Sequence, residues 1–395
     1  MTAPAPPDPS RPLKVLQVIP TLDRSGAEKQ MTLLALGLPR DRFAVEVAVL
    51  TRSGPLEADL KAGGIPVHHF HKRHKFDPLA LARLTRLLQR ARYDIVQTWL
   101  FAANCYGRVA AHLAKTPVVI ATEMAADHWK TPRELAIDRR LAAWTHAIVG
   151  NSQAVVDFYR DQGIDPSKLV RIDSGIGPLE PPPIDPAAIR ASFGWEPSAF
   201  VAVFVGRLAP QKAVGDLVKA ADLLQHGHPR LKTLIVGDGP DRDALLRQAA
   251  AFQLLGQPFN PDSNPQAAPP QPGVLRFTGH RDDAIALIAA SDVLVLPSLY
   301  EGLPNVVLEA MALGKPVIVT RVPGNAELVE HLRTGLVVPP RDVTELARAL
   351  RTLMADPDLA ARLGRAGREH VRRAYRLDAM LDQFAHLYLR LLNLI

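Results

Sequence analysis

From Leu13 onward, short and almost wholly apolar runs alternate with stretches whose apolar residues recur at helical spacing. Lys14–Pro20, Ala44–Leu50, Ile65–Phe70, Asp94–Thr98, Pro117–Thr122 and His146–Gly150 read as buried strands. Ala27–Leu38 reads as a helix, and another starts at Asp77–Pro78, a capping residue followed by a proline suited to a first turn. Continuous apolar strands separated by helices predict parallel βαβ units covered on both faces. The pattern breaks at Gly175–Pro186, which holds five prolines and two glycines. Each proline pushes the residue before it out of helical geometry, so an interdomain hinge is expected, at 178–188. The alternation then restarts with Ala199–Gly206, Leu231–Gly237, Val274–Gly279, Asp292–Pro297, Lys315–Thr320 and Gly335–Pro340. The expected fold class is therefore α/β, two doubly wound Rossmann-like domains over 13–177 and 189–376. The two halves share an architecture and no sequence repeat.

Three segments leave the pattern. MTAPAPPDPSRP, with five prolines and no apolar run, reads as a disordered tail over 1–12 and not as a signal peptide. Gly256–Gly273 has six prolines and no period, and reads as a surface excursion. Leu377–Ile395 places Met380, Phe384, Leu387, Leu391 and Leu394 on one face and reads as a packed helix, expected to lie back on the first domain.

The length of 395 residues agrees with two domains at roughly 150 residues each. The net charge of +7 points to an anionic partner: a phosphorylated small molecule, a membrane surface or a nucleic acid. Aromatic residues are only 6% and no nucleic-acid recognition motif occurs, so nucleic acid is the poorest of the three. Cys105 is the single cysteine, which forbids an intrachain disulfide and fits a reducing cytosol. No run approaches the roughly 20 apolar residues that span a bilayer. A cytoplasmic chain is expected, soluble or peripheral on the inner face of a membrane.

Three motifs carry chemistry. In VGRLAPQKAV, Gly206 ends a strand, and Arg207 and Lys212 follow in the loop, where doubly wound sheets bind ligands. Two cations five residues apart there can straddle a diphosphate, Arg by its fork and Lys as a point charge. In LPSLYEGLPNVVLEAMALGKPVIVT, Pro304 stands where a helix should begin. The amides near Leu303, Asn305 and Val306 are then left for an anion, helped by the helix dipole. Glu301 before that helix and Glu309 within it can accept from vicinal hydroxyls. In TLDRSGAEKQ, Gly26 precedes a helix and lets backbone approach an anion. Neither G-x-G-x-x-G nor a P-loop occurs, which argues against a dehydrogenase. No Cys/His spacing suggests a metal site, and His68, His69, His71 and His74 among Lys72, Arg73 and Lys75 read as a basic surface.

Together VGRLAPQK, LIVGDGPD, FTGHRDD, LVLPSLYEGLPNVVLEAMALGKPVIVT and TGLVVPPRD, in order over about 199–355, resemble the second domain of the retaining GT-B glycosyltransferases of family four. SGAEKQ and Asn151–Ile176 resemble first-domain motifs of the same family. The resemblance implies two domains facing across a cleft, a nucleotide-diphosphate sugar as donor substrate, no other cofactor and no metal. It implies that Arg207 and Lys212 neutralise the diphosphate, that Glu301 faces the sugar and that Glu309 holds the ribose. Gly206, Gly302, Leu303, Asn305 and Val306 would line the donor, Gly279, His280 and Arg281 would lie near the base, and Gly26 would help close the phosphate site. Retention through an oxocarbenium-like state with front-face attack is likewise an implication of the family.

One departure concerns the acceptor side. Family members often carry a histidine just after the fifth strand, where this chain reads ATEMAADHW with Met124 at that place. Glu123 and His128 are the acceptor-side candidates. From His71 to Arg92 seven Lys and Arg stand against one acid, Asp77, with Arg83, Arg86 and Arg90 on one helical stripe beside Leu81, Leu84 and Leu88. Such a helix fits an anionic membrane surface, and with it a glycan or lipid-linked acceptor for polysaccharide synthesis. A GT-B epimerase or phosphorylase, or a non-catalytic nucleotide-sugar binder, is the alternative reading.

Overall fold

The computed structural model describes residues 11–126, 128–180, 183–256 and 273–395. The excursion between Gly256 and Gly273, most of the N-terminal tail and two residues of the 178–188 hinge stretch lie outside the described residues. The chain divides into two compact units, Met1–Gly177 with Tyr375–Ile395, and Pro178–Ala374.

The first unit holds β1 (Leu13–Thr21), β2 (Phe43–Arg52), β3 (Val67–His69), β4 (Ile95–Trp99), β5 (Val118–Glu123), β6 (Ala147–Gly150) and β7 (Leu169–Arg171). Its helices are α1 (Gly26–Gly37), α2 (Leu56–Ala62), α3 (Pro78–Ala91), α4 (Leu100–Ala114), α5 (Pro132–Ala142) and α6 (Gln153–Asp161). The second unit holds β8 (Phe200–Val205), β9 (Leu231–Val236), β10 (Leu275–Gly279), β11 (Val293–Leu296), β12 (Val317–Thr320) and β13 (Leu336–Val338). Around them lie α7 (Pro186–Ser192), α8 (Val214–Leu224), α9 (Arg242–Ala251), α10 (Ala284–Ala290), α11 (Asn305–Ala312), α12 (Pro323–Leu328), α13 (Val343–Ala355) and α14 (Pro357–Ala374). The last helix, α15 (Leu377–Leu391), belongs to the first unit.

The strand orders are β3-β2-β1-β4-β5-β6-β7 and β10-β9-β8-β11-β12-β13, parallel throughout. Both are the doubly wound α/β sheets that the alternation of apolar runs predicts. Each sheet reverses its order once, between β1 and β4 and between β8 and β11.

Local sequence sets the helix starts. The Asp77 carboxylate accepts from the Ala80 amide at 3.0 Å, with Pro78 in the first turn of α3. Thr131 and Glu134 close a reciprocal capping box on α5. Buried Ala80, Leu84 and Leu88 turn α3 onto the sheet and leave its arginines outside.

α15 completes the first core. Met380, Phe384, Ala385, Leu387 and Tyr388 are buried against β1, β2 and β4, whereas Leu394 lies beyond the helix end and is exposed. The seam therefore runs through Tyr388, and Leu394 drops out because the helix stops at Leu391. A polar chain crosses this apolar interior. Trp99 Nε1 donates to Gln17 Oε1 at 2.7 Å, Gln17 Nε2 to the Tyr388 hydroxyl at 3.1 Å, and that hydroxyl to Gln97. All four side chains are buried, so removing one hydroxyl strands two amides. Tyr388→Phe is expected to cost about 1–3 kcal/mol, read as a lower urea midpoint for the first unit. An unchanged midpoint would show that the chain of hydrogen bonds contributes nothing.

Candidate active site

In the second unit the sheet order reverses between β8 and β11. The loops leaving the carboxyl ends of these strands diverge there, and this is where doubly wound sheets receive ligands. The loop after β8 carries Gly206, Arg207 and, on a 3₁₀ turn over Pro210–Lys212, Lys212. The loop after β11 carries Glu301, Gly302 and Leu303 and leads into α11. Arg207 is exposed and makes no ion pair among the described residues. Lys212 Nζ meets Glu301 Oε1 at 2.5 Å, with side chains 18% and 7% exposed. The Leu299 amide donates to the Gln211 carbonyl at 2.8 Å, and Gln211 Nε2 to the Tyr300 carbonyl at 2.9 Å. The two loops are thus joined at three consecutive residues on one side.

Close backbone contact fixes both loops from behind. The Gly206 amide donates to Val236 O at 3.0 Å, and the Gly237 amide to Gly279 O at 2.8 Å. A Cβ on Gly237 (φ +129°) would stand 1.9 Å from the Gly206 carbonyl oxygen, and one on Gly324 would stand 1.6 Å from that of Gly302. Only glycine allows either approach. VGDGPD reads from sequence as an ordinary strand-to-helix turn, and nothing in the sequence singles out Gly324. Both glycines hold the loops that carry the cations and Glu301.

The remaining donor-side residues sit as follows. Pro304 caps α11, and its carbonyl accepts from the amides of Val307 and Leu308 at 3.0 and 3.3 Å. The amides of Asn305 and Val306 precede any acceptor within the helix. Glu309 lies one turn further on and is half-buried. His280 and Arg281 follow β10 and are exposed; Arg281 forks onto Asp283 at 2.7 and 2.6 Å, which holds the Asp283 carboxyl below its ordinary range. His280 stands 4.0 Å from Asp282. Among the described residues no group of three His, Cys, Asp or Glu is placed to ligate a metal.

The acceptor-side candidates lie in the first unit. Glu123 ends β5 and is buried, accepting from Asn104 Nδ2 at 2.8 Å and facing Lys130 Nζ at 3.4 Å. Lys130 is wholly enclosed; it also binds Asp138 at 2.8 Å and the Tyr159 hydroxyl at 2.6 Å, while Arg108 binds Asp138 at 2.6 Å. This buried cluster is invisible to a motif search, because a lysine among polar residues reads as surface. His128 is exposed with its ring edge-on to Phe158, and Met124 packs on the core. Gly26 opens α1 at the carboxyl end of β1, and Glu28 behind it is buried. Burial holds the Glu28 carboxyl above its ordinary value, outweighing hydrogen bonds from Ser25 and from Thr21 at 2.9 Å.

Residues 24–178 match the family Glycosyltransferase Family 4, and residues 199–356 match Glycosyl transferases group 1. Glycogen synthase of Mycobacterium tuberculosis is 33% identical over 189 residues, 47% of this chain and 42% of that protein, so the match spans less than half of that relative. The UDP-Gal:alpha-D-GlcNAc-diphosphoundecaprenol alpha-1,3-galactosyltransferase of Escherichia coli is 27% identical over 89% of this chain and 90% of its own. The D-inositol 3-phosphate glycosyltransferase of Saccharomonospora viridis is 28% identical over 92% and 89%. Anabaena Alr3699/HepE, solved with UDP-glucose, superposes with a TM-score of 0.82 at 23% identity, covering 95% of this chain and 99% of that one. At that identity the likeness is one of fold, which is GT-B.

Because the Glu28 carboxyl is raised, its ionisation costs the folded state. The protonated form is favoured below the ordinary value of 4.5, and that advantage is lost as pH climbs through the raised value. Glu28→Gln is therefore expected to gain stability over the native chain as pH rises from about 4.5 to neutrality, followed by thermal melts. A pH-independent difference would contradict the burial effect.

Proposed function

We propose a sugar transfer for this chain, which belongs to the family-four, group 1 glycosyltransferases. The donor is a nucleoside-diphosphate sugar, and the sugar moves with retention to a lipid-linked or glycan acceptor. The observation that carries this reading is the meeting of Lys212 and Glu301 at the β8/β11 reversal, with Arg207 in the same loop as Lys212. As the sugar departs, negative charge builds on the diphosphate oxygen that loses it. Fixed cations and helix-end amides aimed at that charge stabilise the transition state more than the ground state. In this reading Arg207 and Lys212 hold the diphosphate, the amides of Asn305 and Val306 assist, Glu301 accepts from sugar hydroxyls and Glu309 from the ribose. His280 and Arg281 stand toward the base, with Gly206, Gly302 and Leu303 lining the path. In the first unit, Glu123 and His128 are assigned to the acceptor. Alr3699/HepE has been solved with UDP and with UDP-glucose, which supports a donor of this class.

A lipid-linked acceptor is favoured by the outer face of α3. Phe76 and Leu79 are 78% and 72% exposed, and Lys72, Arg73, Lys75, Arg83, Arg86 and Arg90 surround them in sequence. The one acid of this stretch, Asp77, is buried as the cap of α3. Apolar side chains standing among cations suit the boundary of an anionic bilayer, where each nearby Lys or Arg contributes about 1 kcal/mol. The Escherichia coli relative bears an acceptor joined to diphosphoundecaprenol in its name. No helix among the described residues is long and apolar enough to cross a membrane.

Arg207→Ala is expected to lower turnover by roughly 10²–10³-fold with the fold intact by circular dichroism. Unaltered turnover would misplace the diphosphate. In vesicle sedimentation the chain is expected on anionic vesicles and not on neutral ones, with Phe76→Asp/Leu79→Asp reducing binding several-fold. Equal partitioning onto both, or none, removes the membrane part of the proposal.

A further inference from the structure

Lys212 and Glu301 meet more tightly than a pair awaiting two separate ligands needs to. Glu301 Oε1 is 2.5 Å from the Lys212 ammonium, and neither side chain has another partner among the described residues. The backbone on either side is fixed. The Leu299 and Gln211 hydrogen bonds join the loops, Gly324 stands directly behind Glu301–Gly302, and Ala213 holds a left-handed turn (φ +46°) just after Lys212. The loops therefore cannot separate to relieve the pair, whereas the two side chains can rotate.

We infer that the Lys212–Glu301 ion pair is an exchangeable latch that selects nucleotide sugar over nucleoside diphosphate; this rests on the donor site proposed above. In the ligand-free protein the Glu301 carboxylate occupies the place of a phosphate oxygen on Lys212. An arriving diphosphate draws the ammonium away and leaves a carboxylate, 7% exposed, beside a second anion. A buried carboxylate stripped of its partner is strongly unfavourable. A nucleotide sugar corrects this, because its hydroxyls donate to Glu301. A nucleoside diphosphate without sugar does not, so re-formation of the pair favours its departure after transfer. Arg207, exposed and unpaired among the described residues, supplies the attraction that both ligands share.

The test is calorimetric titration of UDP and UDP-glucose, with GDP, ADP and their sugars alongside, into the native chain and Glu301→Gln. The amide keeps the shape and removes the competing charge. UDP, or whichever diphosphate the native chain binds, is expected to bind Glu301→Gln roughly tenfold more tightly, and the preference for the sugar nucleotide is expected to collapse. Equal or weaker diphosphate binding by the variant overturns the latch. Failure of the native chain to bind any of these nucleotides overturns the donor site itself, a separate result. Should Glu301→Gln fail to fold, ¹⁵N-lysine spectra of the native chain serve instead, with the Lys212 ammonium assigned through Lys212→Met. A shielded ammonium resonance that moves on saturation with the nucleoside diphosphate supports the exchange; one already solvent-exchanged in the free protein contradicts it.

Discussion

The second unit depends on backbone standing against backbone at the carboxyl ends of its strands. Gly237 lies against the carbonyl of Gly206, and Gly324 against that of Gly302, at distances where any side chain would collide. These contacts brace the loop after β8 and the loop after β11 from behind, and the hydrogen bonds from the Leu299 amide to the Gln211 carbonyl and from Gln211 Nε2 to the Tyr300 carbonyl join the two loops, so the side chains of Lys212 and Glu301 meet. A cation and a carboxylate placed 2.5 Å apart follow from that constraint. Preorganisation of this kind lets fixed charges act on a developing charge without reorganising at the moment of reaction.

The two units use the doubly wound sheet differently. In the second, the order reversal presents charged side chains on loops held by backbone contacts. In the first, polar groups of β4, β5 and α5 are enclosed and satisfied: Glu123 by Asn104 and Lys130, Asp138 by Lys130 and Arg108, Gln97 by Tyr388. Buried charges of this sort cost desolvation and are kept only when geometry and partners compensate. They tie Glu123 and Lys130, which flank His128 in sequence, to α4, α5 and α6.

Much of the fold was legible in the sequence because parallel, doubly covered strands are continuous apolar runs. Ala44–Leu50 became Phe43–Arg52 and Leu231–Gly237 became Leu231–Val236, with errors confined to the ends, where burial fades. β7 escaped because it is three residues long and only partly buried, so it has no apolar run to read. Leu394 was misplaced because periodicity continues past the point where a helix stops. At the site, Arg207, Lys212, Glu301 and Glu309 were visible as residue types at strand ends and at a helix start. Gly324 and the Lys130 cluster were not, since close approach and burial come from residues distant in sequence, and a single sequence does not show which of its glycines or lysines are enclosed.

A crystal structure with a bound nucleoside-diphosphate sugar would show where the diphosphate lies. The diphosphate oxygens are expected within hydrogen-bonding reach of Arg207 and Lys212, at the carboxyl ends of β8 and β11, with Lys212 turned away from Glu301. A diphosphate found elsewhere on the chain, with the Lys212–Glu301 pair intact, would contradict it.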